Sequence, residues 1–175
     1  MYDIKELEDY LFSPDVGNIE LAFTIAPEQC EEICSQFQWL VDLGVVESCK
    51  EVLYLKGLLL YDKGLVELPS SIGKLTNLTW VSLWVNELTQ LPNSIGNLTN
   101  LTELDLQENK LTQLPVSFAK LTNLKELSLS SNKLTELPEC IGKLTNLRWL
   151  NLSENQLKDS EIECIKKALP NCKIY

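Results

Sequence analysis

Histidine is absent from the 175 residues, and methionine occurs once, at position 1. Without an imidazole the chain lacks the commonest general base near neutral pH, a frequent zinc ligand, and the Ser/His and Cys/His pairs of nucleophilic catalysis. Positive charge is also scarce: 15 Lys and Arg stand against 25 Asp and Glu, a formal net charge of −10. Phosphate backbones are bound through clustered Lys and Arg, so this balance argues against nucleic acid. No uninterrupted apolar run approaches the roughly 18 residues of a membrane-spanning helix. The opening stretch, MYDIKELEDYLFSPD, is interrupted by Asp3, Glu6, Glu8 and Asp9 and is no secretory signal. These absences predict a cytoplasmic chain with neither a membrane nor a nucleic-acid partner. What is abundant is leucine, with 35 residues, 30 of them after position 50.

Six cysteines could form three disulfides in an oxidising compartment, but nothing in the sequence directs the chain to one. Cys30 and Cys34 stand at i, i+4 on a predicted helix, yet a structural zinc site needs four ligands, and no histidine or C-x-x-C pair completes it. Cys30, Cys34, Cys49, Cys140, Cys164 and Cys172 therefore read as free, largely buried thiols. No metal and no cofactor is expected.

Three segments align without a gap at a 23-residue period: LTNLTWVSLWVNELTQLPNSIGN from Leu75, LTNLTELDLQENKLTQLPVSFAK from Leu98, and LTNLKELSLSSNKLTELPECIGK from Leu121. A fourth, LTNLRWLNLSENQL, begins at Leu144 and then diverges. Backwards from Leu75, LKGLLLYDKGLVELPSSIGK keeps the frame from Leu55, with Lys63 where the others carry Asn86, Asn109, Asn132 and Asn155. Half a repeat earlier, Val45, Val46, Cys49 and Val52 fill the apolar positions. The shared pattern is L-x-x-L-x-L-x-x-N-x-L-x-x-L-P-x-x-I-G-x-L-x-N. It resembles the leucine-rich repeat family, in its short 23-residue bacterial or intracellular type, over roughly residues 45–175. That resemblance implies an α/β solenoid, a right-handed horseshoe or arc with a parallel sheet on its concave face, and a structural ladder of the four asparagines. It also implies a protein-binding role.

The physics of the pattern stands beside the resemblance. L-x-L alternates with period two, so each repeat offers a short strand with one buried face. Leu58 and Leu60, Val81 and Leu83, Leu104 and Leu106, Leu127 and Leu129, and Leu150 and Leu152 should point inward. One strand cannot bury its leucines alone, whereas stacked repeats share a continuous core. Each asparagine follows a strand, where its amide can bond backbone groups left unpaired by the turn. Pro69, Pro92, Pro115 and Pro138 restrict φ on the return segment and leave room for a turn or a short 3₁₀ stretch.

A solenoid needs its ends covered. Residues 3–12 and 18–43 read as helices: Ile4, Leu7 and Leu11 keep helical spacing, and Ile19, Leu21, Ala22, Phe23, Ile25 and Ala26 form a second apolar cluster after the breakers Ser13, Pro14 and Gly17. Ile33, Phe37, Leu40 and Val41 give a third helix its stripe. Asp159 or Ser160 can N-cap a helix to about Leu169, before a closing edge strand over Cys172–Tyr175. The expected organisation is one continuous domain: a helical cap over 1–44, about five repeats over 45–157, and a second cap over 158–175. With both ends covered, the chain reads as a complete protein.

Alternate side chains on the strands face the concave surface, and their identities vary while the frame residues do not. Leu59, Tyr61, Trp80, Trp84 and Val85 make an apolar, aromatic area, beside an acidic strip of Glu103, Asp105, Glu108 and Glu126. Gln107 and Trp149 complete the predicted partner-binding set. Trp and Tyr are favoured interface anchors, and acids beside them favour a basic partner segment. The plainer reading packs the aromatics on the amino-terminal cap. Ser128, Ser130 and Ser131 form a hydroxyl cluster with no base nearby and read as neutral surface. Glu103, Asp105 and Glu126 fall on adjacent strands, within the distances at which paired acids work in glycosidases, but an open sheet face has no enclosed pocket to raise one pKa. Calcium at Asp105 would need a denser oxygen cluster.

The leading expectation is a non-enzymatic protein–protein interaction module, monomeric or weakly homo-oligomeric, that docks a protein partner on its concave face. Two rivals remain: a self-associating structural protein, and a bacterial effector secreted into a host cell. The negative charge is uneven, since residues 1–50 hold 11 acids against Lys5 and Lys50, and residues 51–175 hold 14 against 13 bases. The acidic cap reads as a solvated helical surface, with a second docking surface as the alternative.

Overall fold

In the computed structural model the L-x-L core of each repeat forms a three-residue strand: β1 Gly57–Leu59, β2 Trp80–Ser82, β3 Glu103–Asp105, β4 Glu126–Ser128 and β5 Trp149–Asn151. A two-residue strand, β6 Lys173–Ile174, closes one parallel sheet in the order β1-β2-β3-β4-β5-β6. The structure describes residues 8, 11, 12, 19, 22, 23, 26–48 and 51–175. The predicted Ile4, Leu7, Leu21, Ile25, Ser13, Pro14, Gly17 and Cys49 lie outside these residues, as does the side chain of Cys140.

The central residues of the strands pair as one column, Leu58 with Val81, Leu104, Leu127, Leu150 and finally Ile174. The first five are buried, as period-two alternation demands. Each such side chain contributes about 1.5–3 kcal/mol through burial. Across the core, the chain returns through four 3₁₀ segments of five residues, Ser70–Lys74, Asn93–Asn97, Val116–Lys120 and Glu139–Lys143. Each follows its proline, whose φ lies between −58° and −68°. They bury Ile72, Ile95, Phe118 and Ile141 against the back of the sheet residues. The 3₁₀ segments pack closely: a Cβ on Gly73 would overlap the backbone carbonyl of Ser94.

The turn after each strand is held by the asparagines. Asn109 Nδ2 donates to Leu83 O (2.9 Å), Leu106 O (3.2 Å) and Gln107 O (3.2 Å), while its Oδ1 accepts from Leu88 N (3.1 Å). Asn86, Asn132 and Asn155 repeat this arrangement one repeat apart, and Asn86 Oδ1 accepts from both Lys63 N and Leu65 N. The residue before each ladder position, and before Lys63, has positive φ: Asp62 (50°), Val85 (54°), Glu108 (51°), Ser131 (54°) and Glu154 (56°). None of these five positions is a glycine, and a β-branched valine at Val85 is a costly choice.

At the amino-terminal end, α1 (Pro27–Cys34) and α2 (Gln38–Asp42) are joined by a 3₁₀ turn at Ser35–Phe37. Pro27 starts α1, where its missing N–H costs nothing. Phe37 and Leu40 enter the repeat core, while Cys30, Cys34, Leu11, Ile19 and Ala22 form a smaller cluster with Leu53. Trp39 Nε1 donates to Ser71 Oγ (3.3 Å), tying α2 to the segment Ser70–Lys74, and the Lys74 ammonium of that segment meets Glu8 at 2.6 Å.

At the other end, α3 (Asp159–Ala168) precedes β6. Lys158, not Asp159 or Ser160, holds the N-cap position, and no side chain caps it. Asp159 instead joins Glu161 in the first turn, where carboxylates oppose the helix dipole favourably. Cys164 is exposed, contrary to the expectation of buried thiols, because Ile165 is the residue that α3 turns inward. Cys172 is half-buried. No helix among the described residues is long and apolar enough to cross a membrane.

Candidate docking face

The face of the sheet opposite the core carries two rows of side chains set by strand register. One runs Gly57, Trp80, Glu103, Glu126, Trp149, Lys173; the other runs Leu59, Ser82, Asp105, Ser128, Asn151. Neighbours in a row are roughly 4.8 Å apart at the backbone. Just past the strands stand Tyr61, Trp84, Gln107 and Ser130, followed by the positive-φ residues.

The predicted aromatic area is brought together. Leu59, Tyr61, Trp80 and Trp84 are 57%, 44%, 42% and 37% exposed, so the described helices do not cover them. The rings of Tyr61 and Trp84 stand 5.0 Å apart, tilted by 45°. Trp84 Nε1 donates to Glu108 Oε1 (3.2 Å), which also accepts from Gln107 Nε2 (3.2 Å). This indole is therefore tethered on the exposed face by its hydrogen bond to Glu108. Val85 is half-buried beside it. The indole of Trp80 lies over Gly57, where a Cβ would overlap its Cε2, Nε1 and Cζ2 atoms. Gly57, Leu59, Tyr61 and Trp80 line a groove of about 450 Å³ with Gly44, Val45, Leu55 and Lys63.

A second depression, of about 350 Å³, crosses β2 to β5 between Trp80 and Trp149. Glu103, Asp105, Gln107, Glu126 and Ser128 line it. Glu103 and Glu126 are exposed on adjacent strands, while Asp105 is half-buried and accepts a hydrogen bond from Gln107 N at 3.0 Å. Burial pushes the Asp105 carboxyl above its ordinary value, and the Gln107 hydrogen bond pulls it partly back. Among the described residues no Lys or Arg pairs with Glu103, Asp105 or Glu126; the ion pairs there join Lys74 to Glu8, Lys110 to Glu87 and Lys166 to Glu163.

The serines depart from expectation. Ser128 and Ser130 are only 7% and 4% exposed, so they are not neutral surface. Ser128 stands between Asp105 and Asn151 in its row, and its hydroxyl has no hydrogen-bond partner. Trp149 is half-buried, not open like Trp80, because the ring of Tyr175 stands 6.1 Å away on the closing segment. Tyr175 was legible only as part of a terminal strand, and the seat at Gly57 only as a strand residue lacking a side chain.

A family model described as a leucine-rich repeat region matches residues 40–173. Among solved structures, a leucine-rich repeat protein of Leptospira interrogans is similar at a TM-score of 0.69 and 38% identity, over 72% of this chain and 33% of that one. TLR13 in its complex with ssRNA13 is similar at a TM-score of 0.56 and 26% identity, over 66% of this chain and 20% of that one. The chain thus spans about a third and a fifth of the lengths of these two structures. No curated protein matches it.

Proposed function

The chain belongs to the leucine-rich repeat family, and from that premise we propose that it is a non-enzymatic interaction module that docks a protein on the open face of its sheet. The observation that carries this reading is the exposure of Leu59, Tyr61, Trp80 and Trp84 together, on β1 and β2 and just past them. Large apolar side chains gathered on a polar surface mark partner sites, and Trp and Tyr supply most of the energy where they occur. The held indole of Trp84 is the anchor, with the ring of Tyr61 beside it at the edge of the groove.

TLR13 is seen with an RNA. On this chain Glu103, Asp105, Glu108 and Glu126 share the face, and they would repel phosphate, so a protein with basic character is the favoured partner. The same reading divides the chain into a helical cap over 1–44, repeats over 45–157 and a closing unit over 158–175. Affinity capture with wild type and with Tyr61→Ala plus Trp84→Ala tests it. A partner retained by the first and lost by the second, with unchanged circular dichroism, supports it. Equal retention by both overturns it.

A further inference from the structure

The acidic depression between Trp80 and Trp149 is more than an extension of the aromatic area. We propose that it receives an arginine side chain of the docked protein, its guanidinium bonded to Glu103, Glu126 and Ser128. This rests on the docking reading above and names what the second half of the face takes.

Three observations converge on a planar cation. The first is charge without a counterpart. Among the described residues Glu103, Asp105 and Glu126 have no ion-pair partner, and Lys173, the basic residue of the same row, stands beyond Trp149. The second is the Ser128 hydroxyl. It lies on the floor of the depression, buried and without a hydrogen-bond partner, one strand from Asp105. A buried hydroxyl left unpaired is unfavourable, and a donor entering from above would satisfy it.

The third is the spread of the acceptors. Among the described residues no three acidic or thiol groups come together closely enough to hold a metal ion. Glu103 and Glu126 instead stand side by side on adjacent strands, with Asp105 and Ser128 in the next row. A guanidinium carries five N–H donors in a rigid plane, matches carboxylates in pairs and stacks on aromatic faces. An ammonium is a compact point charge with three donors and suits converging oxygens better. Trp80 and Trp149 stand at the two ends of the depression, three strands apart, where their indoles report its occupancy.

The probe is acetyl-Gly-Arg-Gly-amide, titrated into the full chain and followed by the indole N–H resonances, with the lysine and citrulline peptides as controls. The arginine peptide should shift Trp80 and Trp149 while leaving Trp39 and Trp84 still, and bind about tenfold more tightly than citrulline, its uncharged isostere. Glu103→Gln plus Glu126→Gln should abolish that preference, and Ser128→Ala should weaken the arginine peptide by about threefold. Glu103 and Glu126 are exposed, so the double variant keeps the fold. Equal binding of arginine and citrulline, a preference that survives the double variant, or unaltered affinity in Ser128→Ala would each overturn the site. Lysine binding as tightly as arginine would overturn the planar-cation assignment. Tyr61 and Trp84 do not line this depression, so Tyr61→Ala plus Trp84→Ala should leave the peptide titration unchanged. Peptide binding and partner capture can therefore fail separately.

Discussion

The indole of Trp80 rests on Gly57 of the neighbouring strand, in space that a Cβ at position 57 would fill. The pair stands where the aromatic groove meets the acidic depression, and Trp80 lines both. A glycine with no turn to make here serves to let a large ring lie flat on the sheet. Gly57→Ala should therefore displace Trp80 without unfolding the chain, because the atoms met belong to a side chain that can swing away. The Trp80 indole N–H resonance should move strongly and both binding activities should weaken; an unmoved resonance would contradict the contact.

Val85 occupies the left-handed region at φ 54°, where its branched Cβ crowds the backbone. Asparagine tolerates this region well. Val85→Asn should raise unfolding stability by about 1 kcal/mol in urea titrations. Lower stability would show that the valine side chain contributes more by packing than its backbone strain costs.

Asn109 satisfies four backbone groups in a buried turn, whereas Asn155 is half-buried near the last repeat. Asn109→Ala should cost about 3 kcal/mol, since its partners lose hydrogen bonds away from water. Asn155→Ala should cost less, because solvent reaches some of the freed groups. Chemical denaturation of the two variants side by side reads the difference.

Gly73 faces a backbone carbonyl, that of Ser94, and a backbone atom cannot swing aside. Gly73→Ala should cost about 2 kcal/mol by forcing two 3₁₀ segments apart. Gly142 meets only the Cβ of Ala168, at 3.2 Å, at the end of α3. Gly142→Ala should be the milder change, and thermal melts of both variants would rank them.

Asp105 carries a raised pKa, chiefly from burial and against the opposing pull of the Gln107 hydrogen bond. The folded chain thus binds this proton more readily than the unfolded chain. Its contribution is fully present below the unfolded value of about 3.9 and is lost as pH rises through the higher folded value. Asp105→Asn should melt above wild type at pH 7, and the advantage should vanish as pH falls below about 3.9. Melting curves across pH 3–7 test the sign; a variant less stable at pH 7 would refute it.

Most of the scaffold was legible in the residues. The L-x-L alternation placed Leu58, Val81, Leu104, Leu127 and Leu150 in the core, and the four prolines located the 3₁₀ segments, because both features act through local geometry. The N-cap of α3 and the exposure of Cys164 were not legible, since a helix's rotation about its axis depends on what it packs against. The serines were hidden for a related reason: burial of a short side chain is decided by what surrounds it in the fold, not by its own polarity.

What the 23-residue repeat determined alone was the address of each side chain, core or open face, because a period-two strand in a fixed frame leaves no other choice. What only the tertiary structure decided was company. Trp80 finds its seat on Gly57, Trp84 is held by Glu108, Trp149 meets Tyr175, and Ser128 lies unpaired between Asp105 and Asn151. Each of these relationships joins residues distant in the sequence, brought together by lateral stacking and rotamer packing. A repeat pattern specifies the lattice on which such contacts occur; the contacts themselves depend on which side chains meet across it.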